Sequence, residues 1–227
     1  MSIVLAIESA TKNCSVALIK DGEIIALQEE YNDSFSHAEK LTVFIETVFK
    51  QTNISPNKID AVIVDKGPGS YTGLRIGVST AKGITYGLSI PLYSIGSLET
   101  LYWQAVKLYP GYEYYIPMID ARRMEVYTQV FDSKGKVIEE VNAKIIDASS
   151  FNQYENNKVL IFGDGAEKCQ TTLPLNNAFY ITDLHPSSQG MNVVVENKIK
   201  KNEFEDNAYF EPYYLKDFIA GKPKKLL

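Results

Sequence analysis

The chain of 227 residues runs through the same succession of hydrophobic patterns twice, and few folds admit such a tandem order. In the first half, three extended segments, Ile3–Ile7, Ser15–Lys20 and Glu23–Tyr31, precede a helical period. Asp21-Gly22, between the second and third, is a two-residue hairpin signal, because a type I′ turn needs positive φ at both central positions. Ser36 and Glu39 fit a capping box. Leu41, Phe44, Ile45, Val48 and Phe49 then recur at helical spacing, and Pro56 lies past the helix end. The run Ala61-Val62-Ile63-Val64 is apolar on both faces, as in a strand inside a sheet. A helix over 73–88, a strand over 91–95 and a helix over 97–108 complete this half.

Tyr109-Pro110-Gly111 interrupts the pattern, and the order restarts. Tyr114–Ile119, Glu125–Phe131 and Lys136–Asn142 read as three strands, with a turn at Ser133-Lys134-Gly135-Lys136. A short helix near 147–154, a strand over Val159–Phe162, a helix from Gly163-Asp164-Gly165 to about 173, a strand near Phe179–Ile181 and a helix over 187–200 follow. The order β-β-β-α-β-α-β-α therefore occurs twice. Three meandering strands followed by βα units give a mixed sheet with helices on its faces. The tandem copy predicts an α/β, actin/Hsp70-like (ASKHA) fold of two lobes, residues 1–109 and 110–227, the second ending in a tail.

Composition excludes several function classes. Net charge is −5, the wrong sign for a protein that holds RNA by itself, since phosphate neutralisation supplies much of that affinity. Arg122-Arg123 and the late Lys216, Lys222, Lys224 and Lys225 read as solvated surface. Cys14 and Cys169 are far apart, lack a metal-type neighbour and read as small buried fillers. His37 and His185 are the only histidines. A helical metal site needs a second ligand three or four residues on, and position 41 is Leu, so His37 reads as a capping or packing residue. No apolar run approaches the ~20 residues of a membrane span. The start, Ser2-Ile3-Val4-Leu5-Ala6-Ile7, lacks the basic region of a signal peptide, so a cytoplasmic location is expected.

Two loops carry the local chemistry. Glu8-Ser9-Ala10-Thr11-Lys12-Asn13 joins the first two strands and offers an acid beside small hydroxyls, a pattern that suits a cation and an anion together. Lys66-Gly67-Pro68-Gly69-Ser70-Tyr71-Thr72-Gly73 forces a tight turn before a helix whose unpaired amides face it. Glu8, Ser9, Thr11, Gly67, Gly69 and Ser70 are therefore candidate phosphate-type residues, with plain structural turns as the competing reading. In the following helix, Gly73, Gly77 and Ala81 recur every four residues. Glycine costs ~1 kcal/mol against alanine in a helix interior, so this face gains from close backbone approach, either within the chain or on a partner.

The segments Ala6-Ile7-Glu8-Ser9-Ala10-Thr11, Ser36-His37-Ala38-Glu39-Lys40-Leu41, Gly67 to Val78, Ala81-Lys82-Gly83, Ile119 to Tyr127 and Pro212-Tyr213-Tyr214-Leu215-Lys216 resemble the TsaB (YeaZ-like) family, the non-catalytic branch of the TsaD group. The resemblance spans nearly the whole chain. In the catalytic branch, a His-x-x-x-His motif after the Gly-rich helix binds a metal. Counted without gaps from Gly67, those positions fall on Ser97 and Leu101, and Leu cannot ligate. The resemblance thus implies no catalytic residue, no metal and no cofactor. It implies a subunit needed for N6-threonylcarbamoyladenosine formation at the adenine just 3′ of the tRNA anticodon. Its partners would be a TsaD-like catalytic chain, a TsaE-like P-loop ATPase and, as a dimer, a second copy; tRNA would be met only through the complex. It further implies a partner interface on the first two helices, with His37, Leu41, Phe44, Ile45, Val48, Gly73, Gly77 and Ala81 as candidates. The alternative is an autonomous ATP-binding enzyme of the same architecture. That enzyme needs phosphate loops in both lobes, and the second offers only Gly163-Asp164-Gly165-Ala166.

Overall fold

The structure is a computed structural model describing residues 2–32, 37–173 and 175–216. Among the described residues, ten strands and five α-helices follow the tandem order, except that no α-helix follows the third strand of the second half. The first half comprises β1 (Ile3–Glu8), β2 (Asn13–Lys20), β3 (Glu23–Tyr31), α1 (His37–Thr52), β4 (Ala61–Asp65), α2 (Tyr71–Leu88), β5 (Leu92–Ile95) and α3 (Ser97–Leu108). The second comprises β6 (Tyr114–Asp120), β7 (Glu125–Asp132), β8 (Val137–Ile145), β9 (Val159–Phe162), α4 (Ala166–Cys169), β10 (Ala178–Ile181) and α5 (Asn192–Lys201).

Two five-stranded sheets result, ordered β3-β2-β1-β4-β5 and β10-β9-β6-β7-β8, each the counterpart of the other. In each, the meander is antiparallel and the two later strands join in parallel. Side chains alternate across β1 as the strand period demands. Leu5 and Ile7 face Leu41, Val48, Val78 and Ala81 of α1 and α2. Val4 and Ala6 face the opposite side, where Met191, Val194 and Val195 pack.

The helices do not keep to their own halves. Leu98, Leu101, Tyr102 and Ala105 of α3 pack on the second sheet with Tyr115, Phe131 and Phe162. In exchange, Val194 and Val195 of α5 pack on the first. Trp103 lies against both clusters. After α5 the chain returns along the first sheet. Glu205 bridges Leu92 on β5, and Lys82 Nζ on α2 donates to the carbonyls of Ala208 and Phe210 at 3.2 and 2.8 Å.

The second half departs from sequence expectation at three helices. Residues 147–154 form turns and one short 3-10 segment (Asn152–Tyr154). Asp147 there accepts from Ser149 N at 2.9 Å and Ser150 Oγ at 3.0 Å, and such local bonds compete with a helical ladder. Phe151 then adopts φ 64°, outside helical geometry. The helix opened at Gly163 lasts a single turn, Ala166–Cys169, before the β-branched pair Thr171-Thr172. The last helix starts as a 3-10 turn over Ser188–Met191 and becomes α only from Asn192. The expected capping box at Ser36 and the late Lys222, Lys224 and Lys225 lie outside the described residues.

Candidate functional site

The two motif loops meet where β1 and β4 end. Ser9, Ala10 and Thr11 of the β1–β2 turn are buried, and Ala10 O accepts Ser70 N at 2.6 Å. A Cβ at Gly69 would sit 2.3 Å from Ala10 O. At Gly73 it would sit 2.1 Å from Ser9 O, and at Gly77 2.2 Å from Ser9 Oγ. Each distance is far inside van der Waals contact, so these glycines exist because α2 lies directly on the turn. His37 opens α1 from the other side, its Nε2 bonding Thr11 O at 2.7 Å, and burial pushes its pKa below the ordinary histidine value.

This geometry bears on two expectations. The candidate phosphate-type loops are packed against each other: Ser70 N is taken by Ala10 O, Gly73 N by Ser70 Oγ at 3.2 Å, and Gly67 N by Asp65 Oδ1 at 2.5 Å. Those three amides are engaged by the chain itself. In the second lobe, a Cβ at Gly163 would lie 2.2 Å from Met118 O, so that glycine too answers to close packing. The partner-interface candidates lie on the inward sides of α1 and α2. His37, Leu41, Phe44, Val48, Gly73, Gly77 and Ala81 are all buried within the chain, and Ile45 is half-buried. Periodicity located an apolar stripe on α1 and a small-residue face on α2, and both stripes serve the protein's own core.

The outward faces of the same helices carry other residues. Val43 on α1 is 51% exposed, and Ile76 and Ile84 on α2 are half-buried. Gly83 and Gly87 are exposed, and a Cβ at either would meet nothing within 4 Å. Between the end of α1 and Ile84 lies an apolar groove of about 540 Å³ bounded by Ile45, Phe49, Ile54 and Ile59.

Sequence reasoning missed three features. Asp65 lies beside Glu8, and both are fully buried. Ser97 Oγ donates to Asp65 Oδ1 at 2.7 Å, and Leu101 is buried in the α3 core. The returning chain forms a strap: Tyr213 N donates to Lys66 O at 2.7 Å, the Tyr214 ring lies tilted against that of Tyr71 with centroids 4.7 Å apart, and Lys216 pairs with Glu125 in the second lobe. The Pro212–Lys216 segment was the one available signal for the strap. Nothing in the spacing of Glu8 and Asp65 announced their pairing, which depends on β1 lying beside β4.

Among the described residues no group of three or more His, Cys, Asp and Glu side chains could hold a metal, and no helix is long and apolar enough to cross a membrane. Residues 32–223 match the family model described as TsaD: tRNA N6-adenosine threonylcarbamoyltransferase. The chain is 30% identical to the tRNA threonylcarbamoyladenosine biosynthesis protein TsaB of Bacillus subtilis over 70% of each chain. It is 34% identical to the TsaB of Escherichia coli, over 55% of this chain and about half (52%) of that one. The solved structure of YeaZ from Pseudomonas aeruginosa superposes with a TM-score of 0.80 and 22% identity, covering 95% of this chain and 100% of that one, which establishes the shared fold. A family model across most of the chain, and a relative matched over more than two thirds of its length, show that the chain belongs to the TsaB (YeaZ-like) family and carries a TsaD-type domain.

Proposed function

We propose that this chain is a non-catalytic subunit of tRNA threonylcarbamoyladenosine synthesis that binds and supports a TsaD-like catalytic chain. One observation carries the reading. By the gap-free count from Gly67 that the family resemblance supplies, the positions of the catalytic branch's metal-binding histidines fall on Ser97 and Leu101. Ser97 is committed to Asp65 and Leu101 to the core between the lobes. Neither side chain is free to serve a metal, while the surrounding scaffold persists.

The partner surface is the outward face of α1 and α2: Val43, Ile76, Ile84 and the open glycines Gly83 and Gly87. Gly83 and Gly87 have no internal reason to be glycine, and each costs a helix ~1 kcal/mol against alanine. A close helix from another chain supplies the missing reason. The TsaE-like ATPase and tRNA join through the assembly, in keeping with the net charge of −5. Titrating the purified chain with a TsaD-like chain in a calorimeter tests the reading. Stoichiometric binding is expected. No heat and no co-elution at concentrations well above those in a cell would defeat it.

A further inference from the structure

Glu8 and Asp65 end neighbouring parallel strands, and neither carboxyl reaches solvent. Each has one oxygen satisfied. Glu8 Oε1 accepts Ala10 N at 2.8 Å, and Asp65 Oδ1 accepts Gly67 N at 2.5 Å and Ser97 Oγ at 2.7 Å. The remaining oxygens, Glu8 Oε2 and Asp65 Oδ2, are buried and receive no donor, and the two carboxyls stand at adjacent ends of the paired strands β1 and β4. Two ionised carboxylates are both acceptors and cannot satisfy each other, whereas one proton held between them turns one group into a donor and satisfies both oxygens.

We propose that a single proton shared between Glu8 Oε2 and Asp65 Oδ2 is a structural ligand that latches the β1–β2 turn onto the β4–α2 loop.

The surroundings fit one proton and one negative charge. Lys66, next in the chain, is the cation that favours an ionised Asp65. Cys14 on β2 is neutral, its thiol pushed up to about 12 by burial. Ser97 on α3 is a neutral donor. His37 on α1 lies one turn away against Thr11, and burial favours its neutral form. Burial foremost, then the neighbouring Asp65 charge, pushes Glu8 well above the usual carboxylate range, and burial raises Asp65. The latch matters because the same turn carries Ser9 and Ala10, on which Gly69, Gly73 and Gly77 rest. Loss of the proton drives two buried like charges apart beneath the seat of α2.

In the unfolded chain both groups ionise at ordinary carboxylate values, while the native pair retains a proton. Its stabilisation is fully present below the unfolded pKa values and is lost as pH rises toward the raised native one, at about tenfold in the unfolding constant per pH unit. Urea unfolding of the full chain between about pH 5 and 8, compared with Glu8→Gln, reads this directly. The Gln amide donates permanently to Asp65, so the ratio of wild-type to variant unfolding constants should grow about tenfold per pH unit. Asp65→Asn makes the same replacement from the other side and serves if Glu8→Gln does not fold. Infrared spectra of the native wild type at neutral pH should show the carbonyl stretch of a protonated carboxylic acid, absent from both variants. Parallel pH profiles overturn the proposal. So does a missing acid band, or a stoichiometric cation that competes with protons for the site.

Discussion

At the scale of single residues, the glycines of α2 separate into two kinds. Gly73 and Gly77 face Ser9 at distances that no side chain tolerates, whereas Gly83 and Gly87 face open space. Sequence showed the four-residue spacing of small residues but could not say which of them answered to the chain's own fold, because the contact is with a turn more than sixty positions away. Gly77→Leu should therefore lower stability by about 1–3 kcal/mol or more through overpacking. For a chain of this size each kcal/mol is about 2–4 °C in melting temperature. The drop should appear in the isolated protein, without any partner. An unchanged melting temperature would show that α2 does not rest on Ser9 as described.

At the scale of elements, α2 supports the complementary prediction. Gly83→Ala should raise the stability of the isolated chain by about 0.5–1 kcal/mol, as helix propensity dictates at an unobstructed position. Gly83→Leu should leave the isolated chain at least as stable as wild type and weaken association with the catalytic chain by about tenfold or more, since 1.4 kcal/mol is a factor of ten. Equal affinity of wild type and Gly83→Leu would move the interface elsewhere. The first-half elements were legible because α3 carries a long buried stripe over the expected 97–108, and the Asp21-Gly22 turn fixes the start of β3 at the expected 23–31. The second-half helices were not. Asp147 diverts its own backbone into side-chain bonds, and α4 stops after one turn. Those outcomes are decided by local hydrogen bonding and by how little apolar surface the segments bury, neither of which a hydrophobic period records.

At the scale of the whole molecule, the two halves are tied together three times. They exchange α3 and α5 across the sheets, the strap returns along β5 and α2, and Ser15, Ser187 and Ser188 form a buried hydroxyl cluster with Glu29. A fragment ending at Tyr109 would lose Met191, Val194 and Val195 from one sheet face and leave the apolar face of α3 uncovered. It should behave as an unfolded or aggregating chain, checked by circular dichroism and sedimentation. A cooperatively folded monomer would contradict the exchange. The strap is testable separately. Glu205→Ala leaves the buried Ser94 hydroxyl without its carboxylate, and an unsatisfied buried polar group costs about 1–3 kcal/mol, so the urea midpoint should fall. Repetition of the strand order made both sheets readable in advance, whereas exchange and strap depend on contacts between distant segments that no periodicity encodes.

The central claim is that the scaffold of a threonylcarbamoyl transferase persists here without its chemistry, and in vitro transfer of the threonylcarbamoyl group to tRNA measures it most directly. This chain alone should give no N6-threonylcarbamoyladenosine at any concentration. Added to the TsaD-like chain and the TsaE-like ATPase, it should raise product formation severalfold or more, and Gly83→Leu should blunt that gain. Product from this chain alone, or a catalytic chain indifferent to its presence, would contradict the account.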